Sequence, residues 1–200
     1  MTAPAAEQTV AGFRRRLLDG LAASIAERGY RDSTVADIVR HARTSKRTFY
    51  DHFAGKQECF VELLSANNDD LVAALADAVD TAAPWRDQVR QAVTAYVQTI
   101  EANPAITLSW IRELPALGEQ ARPTLRHNLS RLTAAIVALT TNSRFADAGI
   151  APLSPAAAVI LVGGLRELTA QTVEDGAPVR DLIEPAVEAA GALLAGRWRC

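Results

Sequence analysis

Two short apolar segments separated by a turn of about three residues constrain the fold of this chain more than any other feature. The first begins near Thr34, which stands three residues before Asp37 in the spacing of a capping box. The second begins at Ser45, a favourable N-cap residue, and carries the apolar pair Phe49 and Phe53. Helices joined by so short a turn must cross at a large angle. The pattern therefore predicts a helix-turn-helix, whose second helix can lie in the major groove of DNA.

The rest of the chain also has the apolar periodicity of α-helices. A preceding helix over about residues 9–28 completes a three-helix domain, and similar stripes continue to the C-terminus without the alternation of strands. The predicted fold is all-α. It has a helix-turn-helix domain at residues 1–55 and a larger helical domain, for effector binding and dimerisation, at residues 56–200. The buried face of the first helix is expected to contain Phe13, Leu17, Leu21 and Ile25.

The charges of the chain are divided unevenly. Residues 1–56 contain ten Lys and Arg against six Asp and Glu, whereas residues 57–200 contain eleven against seventeen. A basic N-terminal quarter joined to an acidic remainder is expected where only the first part meets a polyanion. The second short helix fits this, because its polar residues are basic or hydrogen-bonding. Those that face outward or sideways are Lys46, Arg47, Thr48, Tyr50 and His52.

Composition and spacing argue against other classes of protein. A hydrophobic content of 49% is ample for a packed core. Cys59 and Cys200 have no CxxC or Cys/His spacing, so we expect a cytoplasmic protein with neither a disulfide framework nor a metal site. His127 has no Cys, Asp or second His at ligand or triad spacing, so no enzyme and no cofactor is expected. The longest uncharged stretch is interrupted by Pro152 and Pro155, and no membrane span is expected.

Residues 13–64 resemble the DNA-binding domain of the TetR family of bacterial transcriptional regulators. The most specific portions are AERGY, STVADI and SKRTFYDHFAGK, which fall in the family's order and spacing. Family members usually have Gly followed by an apolar residue in the turn, where this chain has Arg43 and Thr44. An Arg with positive φ costs about 1 kcal/mol relative to Gly. Either the turn differs slightly, or Arg43 gains from a phosphate contact.

The resemblance also implies roles for individual residues. Lys46 and Arg47 are the best candidates to read base edges, because both residue types pair with guanine O6 and N7. Tyr50 and Lys56 are expected to hold phosphates, Lys56 from a helix N-terminus. His52 either contacts a phosphate or packs on its neighbours. The full set of predicted DNA contacts is Thr34, Arg43, Ser45, Lys46, Arg47, Thr48, Tyr50, His52 and Lys56.

Isolated aromatic and polar residues on buried stripes, together with the resemblance, predict an effector pocket in the C-terminal domain. The pocket should have a volume of a few hundred Å³, on the order of known ligand sites, and take a small, mainly apolar or amphipathic ligand. Each candidate can equally be an ordinary core residue. The candidates are Phe60, Leu64, Asn67, Tyr96, Trp110, Glu113, Thr133 and Glu167.

The last two predicted helices have more apolar surface than one protomer needs to cover. The first of them, which begins near Pro155, is apolar nearly all round, and a homodimer built on a four-helix bundle would cover it. The alternative is that both helices close the monomer's own core. The predicted interface residues are Val159, Val162, Leu165, Leu168, Val187 and Leu194.

These patterns predict a TetR-like regulator, most simply a repressor released from an inverted-repeat operator by an apolar effector. One alternative is a helical ligand carrier or interaction module that does not bind DNA, and another is a regulator of this kind without a small-molecule effector. Residues alone do not distinguish a repressor from an activator, because the sign depends on where the operator lies relative to the promoter.

Overall fold

The structure is a computed structural model that describes residues 5–196, and within that range it contains helices and no strand. The predicted all-α class is confirmed. Two short 3-10 helices, Gly118–Gln120 and Val179–Leu182, connect α-helices in the second half of the chain. The α-helices are α1 (Ala5–Asp32), α2 (Val35–His41), α3 (Lys46–His52), α4 (Lys56–Ala78), α5 (Trp85–Ala102), α6 (Pro104–Ala116), α7 (Arg122–Leu139), α8 (Ser143–Asp147), α9 (Pro155–Glu174) and α10 (Ile183–Ala195).

The chain divides into two compact units, which meet within α4 between Ala66 and Asn67. The predicted boundary lay earlier, between residues 55 and 56. The first turns of α4 belong to the N-terminal unit because Phe60 stacks on the ring of Tyr30, with ring centroids 3.8 Å apart. Arg14 and Glu62 also form an ion pair there.

The N-terminal unit is tightly packed around α1. Gly29 interrupts the helix with a φ of 77°, a left-handed conformation that glycine adopts without strain. The carbonyl of Gly29 accepts a hydrogen bond of 2.8 Å from the hydroxyl of Ser33. At Gly20 the backbones of α1 and α2 approach so closely that an added Cβ would lie 2.6 Å from the carbonyl oxygen of Ile38.

The C-terminal unit is built from the last turns of α4 and from α5 to α10. Helix α8 is a short element that the periodicity did not predict, because five residues are too few to show a repeat. Pro185 lies in the first turn of α10, where no backbone N–H donor is required, and so it does not break the helix. Pro115 lies inside the last turn of α6 and does not end it. The main apolar cluster contains Val89, Val93, Phe145, Ile150, Leu153, Ala158, Leu161, Ala186, Ala190 and Leu194.

Helix α9 (Pro155–Glu174) is long and apolar enough to cross a membrane by length and composition, with a mean hydropathy of 1.2 over its best window. One such helix is weak evidence for a span, because core helices of other proteins pass the same test. Ala158 and Leu161 on its inner face belong to the apolar cluster of the unit. Much of its outer face is apolar and uncovered, notably at Ile160.

Candidate functional site

Helices α2 and α3 are each held at their start by a side-chain cap. The hydroxyl of Thr34 accepts a hydrogen bond of 3.2 Å from the backbone N–H of Asp37, and the Asp37 carboxylate accepts one of 3.1 Å from the backbone N–H of Thr34. This confirms the predicted capping box. The hydrogen bond from the Thr34 hydroxyl is the main reason why the pKa of Asp37 is lowered. At α3, the hydroxyl of Ser45 accepts a 3.0 Å bond from the N–H of Thr48, as expected of an N-cap.

The turn between these helices carries an arginine in the left-handed region. Arg43 has a φ of 49° and is the one non-glycine residue with a positive φ among the residues that the structure describes. The following N–H, of Thr44, donates to the carbonyl of Val39 at 3.0 Å and closes the turn. The conformation costs about 1 kcal/mol relative to Gly. The side chain of Arg43 is exposed.

The exposed face formed by the turn and α3, which we call the α3 face, consists of Arg43, Lys46, Arg47 and Tyr50. Tyr50 is 58% exposed, which is unusual for a large aromatic residue. Among the described residues, none of the three cations forms an ion pair. Elsewhere in the unit, Arg14 is paired with Glu62. The positive charge of the α3 face is therefore available to an external anion.

Two other arginines of the unit are also neutralised internally. Arg28 and Arg40 both lie within ion-pair distance of Glu27 and of Asp37. Burial is the largest influence on the pKa of Glu27 and raises it, but Arg40 and His41 together lower it further, and Arg28 and Arg40 help to lower the pKa of Asp37. The ion pairs of Arg28 and Arg40 therefore lie between α1 and α2, away from the cations of the α3 face, which form no ion pair among the described residues.

The remaining predicted DNA contacts have partners inside the unit. The ammonium of Lys56 donates to the carbonyls of Tyr30, Arg31 and Ser33 at 2.9, 3.2 and 2.8 Å. An ammonium has three N–H donors, so a phosphate contact by Lys56 would require it to give up one of these bonds. The ring of His52 stacks on Phe13 with centroids 6.4 Å apart, which is the packing alternative considered for this residue.

The C-terminal unit contains an apolar cavity of about 80 Å³. It is smaller than the few hundred Å³ expected from the sequence. Its wall is made by α4, α5, α7, α9 and α10, together with Phe145 of α8 and Leu153. The hydroxyl of Tyr96, which lines it, shares a buried hydrogen bond of 2.9 Å with Thr169. Burial is the main cause of the raised pKa of Tyr96.

Of the eight predicted pocket residues, Tyr96 lines this cavity and the others lie elsewhere. Phe60 and Leu64 are buried in the N-terminal unit. Glu167 is exposed and bonded to Arg112, and Thr133 donates to backbone carbonyls of its own helix. Asn67 and Glu113 are half-buried. Trp110 is buried outside the cavity wall, in contact with Arg166.

The asparagine that α4 buries is one residue further along the chain than predicted. Asn68, not Asn67, is the buried asparagine, and neither polar atom of its side chain has a hydrogen-bond partner among the described residues. The apolar stripe drawn from the sequence was correct at Leu64 and Leu71, both of which are buried. A polar residue between two such positions cannot be assigned to a face by periodicity alone.

The predicted interface residues fall into two groups. Val162 and Leu194 are buried within the protomer, where both line the cavity, and Leu165 and Val187 pack against the same apolar cluster. Val159 and Leu168 are exposed. The apolar side chains that remain uncovered on α9 and α10 are Val159, Ile160, Leu168 and Leu193.

Comparison with known proteins connects the α3 face to a family. Residues 17–63, which contain α2, the turn and α3, match the bacterial regulatory proteins of the tetR family. The chain resembles the TetR family. The match covers the part of the chain in which the caps and the exposed cations lie. The resemblance identified from the sequence is thereby confirmed.

The TetR-like relatives are transcriptional regulators and not enzymes. The transcriptional repressor KstR2 of Mycobacterium tuberculosis is 36% identical over 109 residues, which are 54% of this chain and 54% of that protein. The transcriptional activator FasR of Mycolicibacterium smegmatis is 32% identical over 88 residues, which are 44% of this chain and 40% of that protein. The chain thus spans about half the length of the curated relatives it matches.

A solved TetR-like structure covers nearly the whole chain. The transcriptional regulator FadR from Bacillus subtilis, in complex with stearoyl-CoA, aligns with a TM-score of 0.75 and 16% identity, over 92% of this chain and 98% of that one. At this identity the likeness establishes the fold, including that of the C-terminal unit.

Sequence reasoning did not find the cavity wall. Wall residues such as Leu75 on α4 and Val89 and Val93 on α5 lie on apolar stripes, but a stripe does not show whether the interior behind it is filled. Among the described residues no His, Cys, Asp and Glu group could hold a metal ion. Cys59 is buried, which raises the pKa of its thiol to about 12, and Cys200 lies outside the described residues.

Proposed function

We propose that this protein is a TetR-like transcriptional regulator, working in the cytoplasm, that binds double-stranded operator DNA through the α3 face. The observation that carries the proposal is the combination of Arg43, Lys46, Arg47 and Tyr50 on one exposed surface, with the cations free of ion pairs among the described residues. Phosphates attract such cations, and a short helix that follows a tight turn can enter a major groove. The family match and the regulatory roles of the relatives support it.

The proposal is tested by selecting bound sequences from random DNA and measuring variants on the selected operator. Arg47→Ala should relax the preference at one base position by about 1–3 kcal/mol, because Arg reads a base edge. Tyr50→Ala should weaken binding to all DNA sequences by the same factor. Arg126→Ala removes an equally exposed arginine from α7 and should leave affinity unchanged. Unchanged operator affinity in Arg43→Ala, Arg47→Ala and Tyr50→Ala would contradict the proposed site.

We further propose a two-fold homodimer formed by the outer faces of α9 and α10. Ile160 is 67% exposed and Leu193 is 38% exposed, and soluble monomers rarely leave such contiguous apolar surface uncovered. Gly163 and Gly164 beside them have open space around the Cβ position, so another helix can approach closely. The operator should then be an inverted repeat that matches the symmetry of the protein.

Sedimentation equilibrium tests the dimer. Ile160→Glu should raise the dimer dissociation constant at least tenfold, because it buries an unpaired charge in the interface. Ala134→Glu, on the exposed side of α7, provides a control with the same change of charge. A wild-type protein that is monomeric at micromolar concentration would contradict the proposal.

We also propose that a small, mainly apolar effector binds at the cavity and releases the DNA. The cavity is apolar, and Tyr96 offers one hydrogen-bonding group. At about 80 Å³ it must expand to admit a ligand, so a ligand would favour the expanded state. Leu75 of the wall belongs to α4, and Val79 follows the end of that helix; the first turns of α4 lie in the N-terminal unit.

Reciprocity tests this coupling. If the ligand weakens operator binding, the operator must weaken ligand binding by the same factor. Leu161→Trp, which adds bulk to the cavity wall, should lower ligand affinity and leave operator affinity without ligand unchanged. Ligand binding that is identical with and without operator would show that the cavity does not control the DNA-binding unit.

A further inference from the structure

One arginine of the C-terminal unit lacks a carboxylate partner although it is largely surrounded by protein. The Nε of Arg166, on α9, is buried and has no hydrogen-bond partner among the described residues. Its guanidinium lies over the ring of Trp110, on α6, with its central carbon 4.4 Å from the ring centroid. The indole N–H of Trp110 is also buried without a partner.

The neighbouring arginine shows what a structural arginine looks like in the same pair of helices. Arg112 of α6 donates four hydrogen bonds of 2.7 to 3.1 Å to the carboxylates of Glu167 and Glu174 on α9. These contacts lower the pKa of both carboxyls. The acidic residues of this contact are therefore used by Arg112, and Arg166 has no ion pair with any residue that the structure describes.

An unpaired charge in such a place is costly. Burial lowers the pKa of Arg166, the direction expected when a cation loses hydration without gaining a carboxylate. A buried donor without a partner lowers stability, and a charged one lowers it more. The cation–π contact with Trp110 offsets part of this cost but does not use the N–H of either side chain. An anion placed against both N–H groups would satisfy them.

Arg166 does not line the apolar cavity, but it is close to residues that do. Leu165, the preceding residue, lines the cavity, and so does Tyr96. The charge of Arg166 acts on the Tyr96 hydroxyl and partly opposes the effect of burial on the pKa of that group. An apolar space, with a guanidinium near it that has no ion pair among the described residues, fits a ligand that has an apolar body and an anionic end.

We propose that Arg166 and the indole N–H of Trp110 bind the anionic headgroup, a carboxylate or a phosphate, of an amphipathic ligand whose chain fills the cavity lined by Tyr96. This inference deepens the proposed effector function and depends on it for its regulatory meaning. A guanidinium offers parallel N–H donors that match the two oxygens of either group. The headgroup thereby determines selectivity, and the apolar chain supplies most of the buried area.

The test compares ligands of one chain length by isothermal titration calorimetry on the full-length protein. Decanoate and decyl phosphate carry the anion, and decanol lacks it. At least one anionic ligand should bind wild-type protein tenfold or more tightly than decanol, and the tighter of the two identifies the headgroup. Arg166→Met should reduce this ratio to near one. Arg126→Met, which removes an exposed arginine from α7, should preserve it.

A second variant separates recognition from packing. Trp110→Phe keeps an aromatic ring under the guanidinium but removes the N–H. It should therefore lower the affinity for the anionic ligand several-fold and leave the affinity for decanol unchanged. Circular dichroism confirms that each variant is folded. Equal affinity of wild-type protein for the three ligands, or no binding of any at millimolar concentration, would overturn the proposal.

Operator binding, measured in the same samples, distinguishes this inference from the proposed function. Anion-selective binding that depends on Arg166 but leaves operator affinity unchanged would support the headgroup site and contradict effector control. Specific operator binding without any anion-selective ligand would support the proposed DNA-binding function and overturn the headgroup site.

Discussion

The N-terminal and C-terminal units differ in how they treat buried polar groups. In the N-terminal unit the hydroxyls of Ser24 and Ser33, both almost fully buried, bond to each other at 2.8 Å, and Ser33 donates onward to a carbonyl. In the C-terminal unit Asn68, Asn128, Trp110 and Arg166 each bury a polar atom that has no partner among the described residues. The same unit contains the apolar cavity.

This contrast relates packing to the proposed roles of the units. A unit that must present a fixed set of side chains to DNA gains from complete pairing, because every satisfied group favours one arrangement. A unit that must accept a ligand needs space and free polar groups, which lower its own stability. The comparison predicts that the same kind of substitution has different effects in the two units.

The largest effect should come from the closest backbone approach in the N-terminal unit. Gly20→Ala places a methyl group 2.6 Å from the carbonyl oxygen of Ile38, so α1 and α2 must separate. We expect the free energy of unfolding to fall by about 3 kcal/mol in urea denaturation. Gly12→Ala on the same helix meets nothing within 4 Å and should raise it by up to about 1 kcal/mol. An unchanged free energy of unfolding in Gly20→Ala would contradict the proposed difference in packing between the two units.

A matched pair of alanines gives an intermediate effect. Ala42 and Ala190 are each 5% exposed, but Ala42 faces Gly20 at the helix contact whereas Ala190 lines the cavity. Ala42→Val should lower the free energy of unfolding by about 1–3 kcal/mol through overpacking. Ala190→Val should leave it unchanged or raise it by up to about 1 kcal/mol, because two added methyl groups fill empty space. Equal losses, measured by thermal and urea unfolding, would show that the cavity wall is as rigid as the N-terminal core.

The smallest effect concerns the ion pairs of Arg112. Their carboxyl partners, Glu167 and Glu174, have lowered pKa values in the folded state, so their contribution is present above the ordinary glutamate pKa and is lost as the pH falls through the folded value. Wild-type stability should therefore decline from about pH 5 downward. Arg112→Met should flatten this decline and change stability little near neutral pH. If the stability of the two proteins declined in parallel with pH, the ion pairs of Arg112 would not be the cause of the decline.

Local rules predicted the N-terminal unit well. The capping box of Thr34 and Asp37, the N-cap at Ser45 and the unusual turn at Arg43 were all visible in the sequence, because each depends on residues within a few positions of one another. The same holds for the inward pair Phe49 and Phe53, which is fully buried.

The C-terminal unit was harder to predict because its features depend on distant residues. Periodicity marked Val162 and Leu194 as apolar, but it did not show that they face their own protomer and not a partner. It also could not reveal that Arg112 uses the carboxylates of Glu167 and Glu174, 55 and 62 residues away, and that Arg166 has no ion pair among the described residues. An arginine inside an otherwise apolar run, as at Arg166, was the one local sign that went unused.

The left-handed arginine in the turn implies a conflict between stability and DNA affinity. Glycine adopts the φ of 49° found at Arg43 without strain, so Arg43→Gly would make the protein more stable by about 1 kcal/mol while it removes a cation from the α3 face. A library screened for heat resistance would therefore enrich glycine at this position, and one screened for operator occupancy would retain arginine. The natural sequence has the residue that the second screen would select.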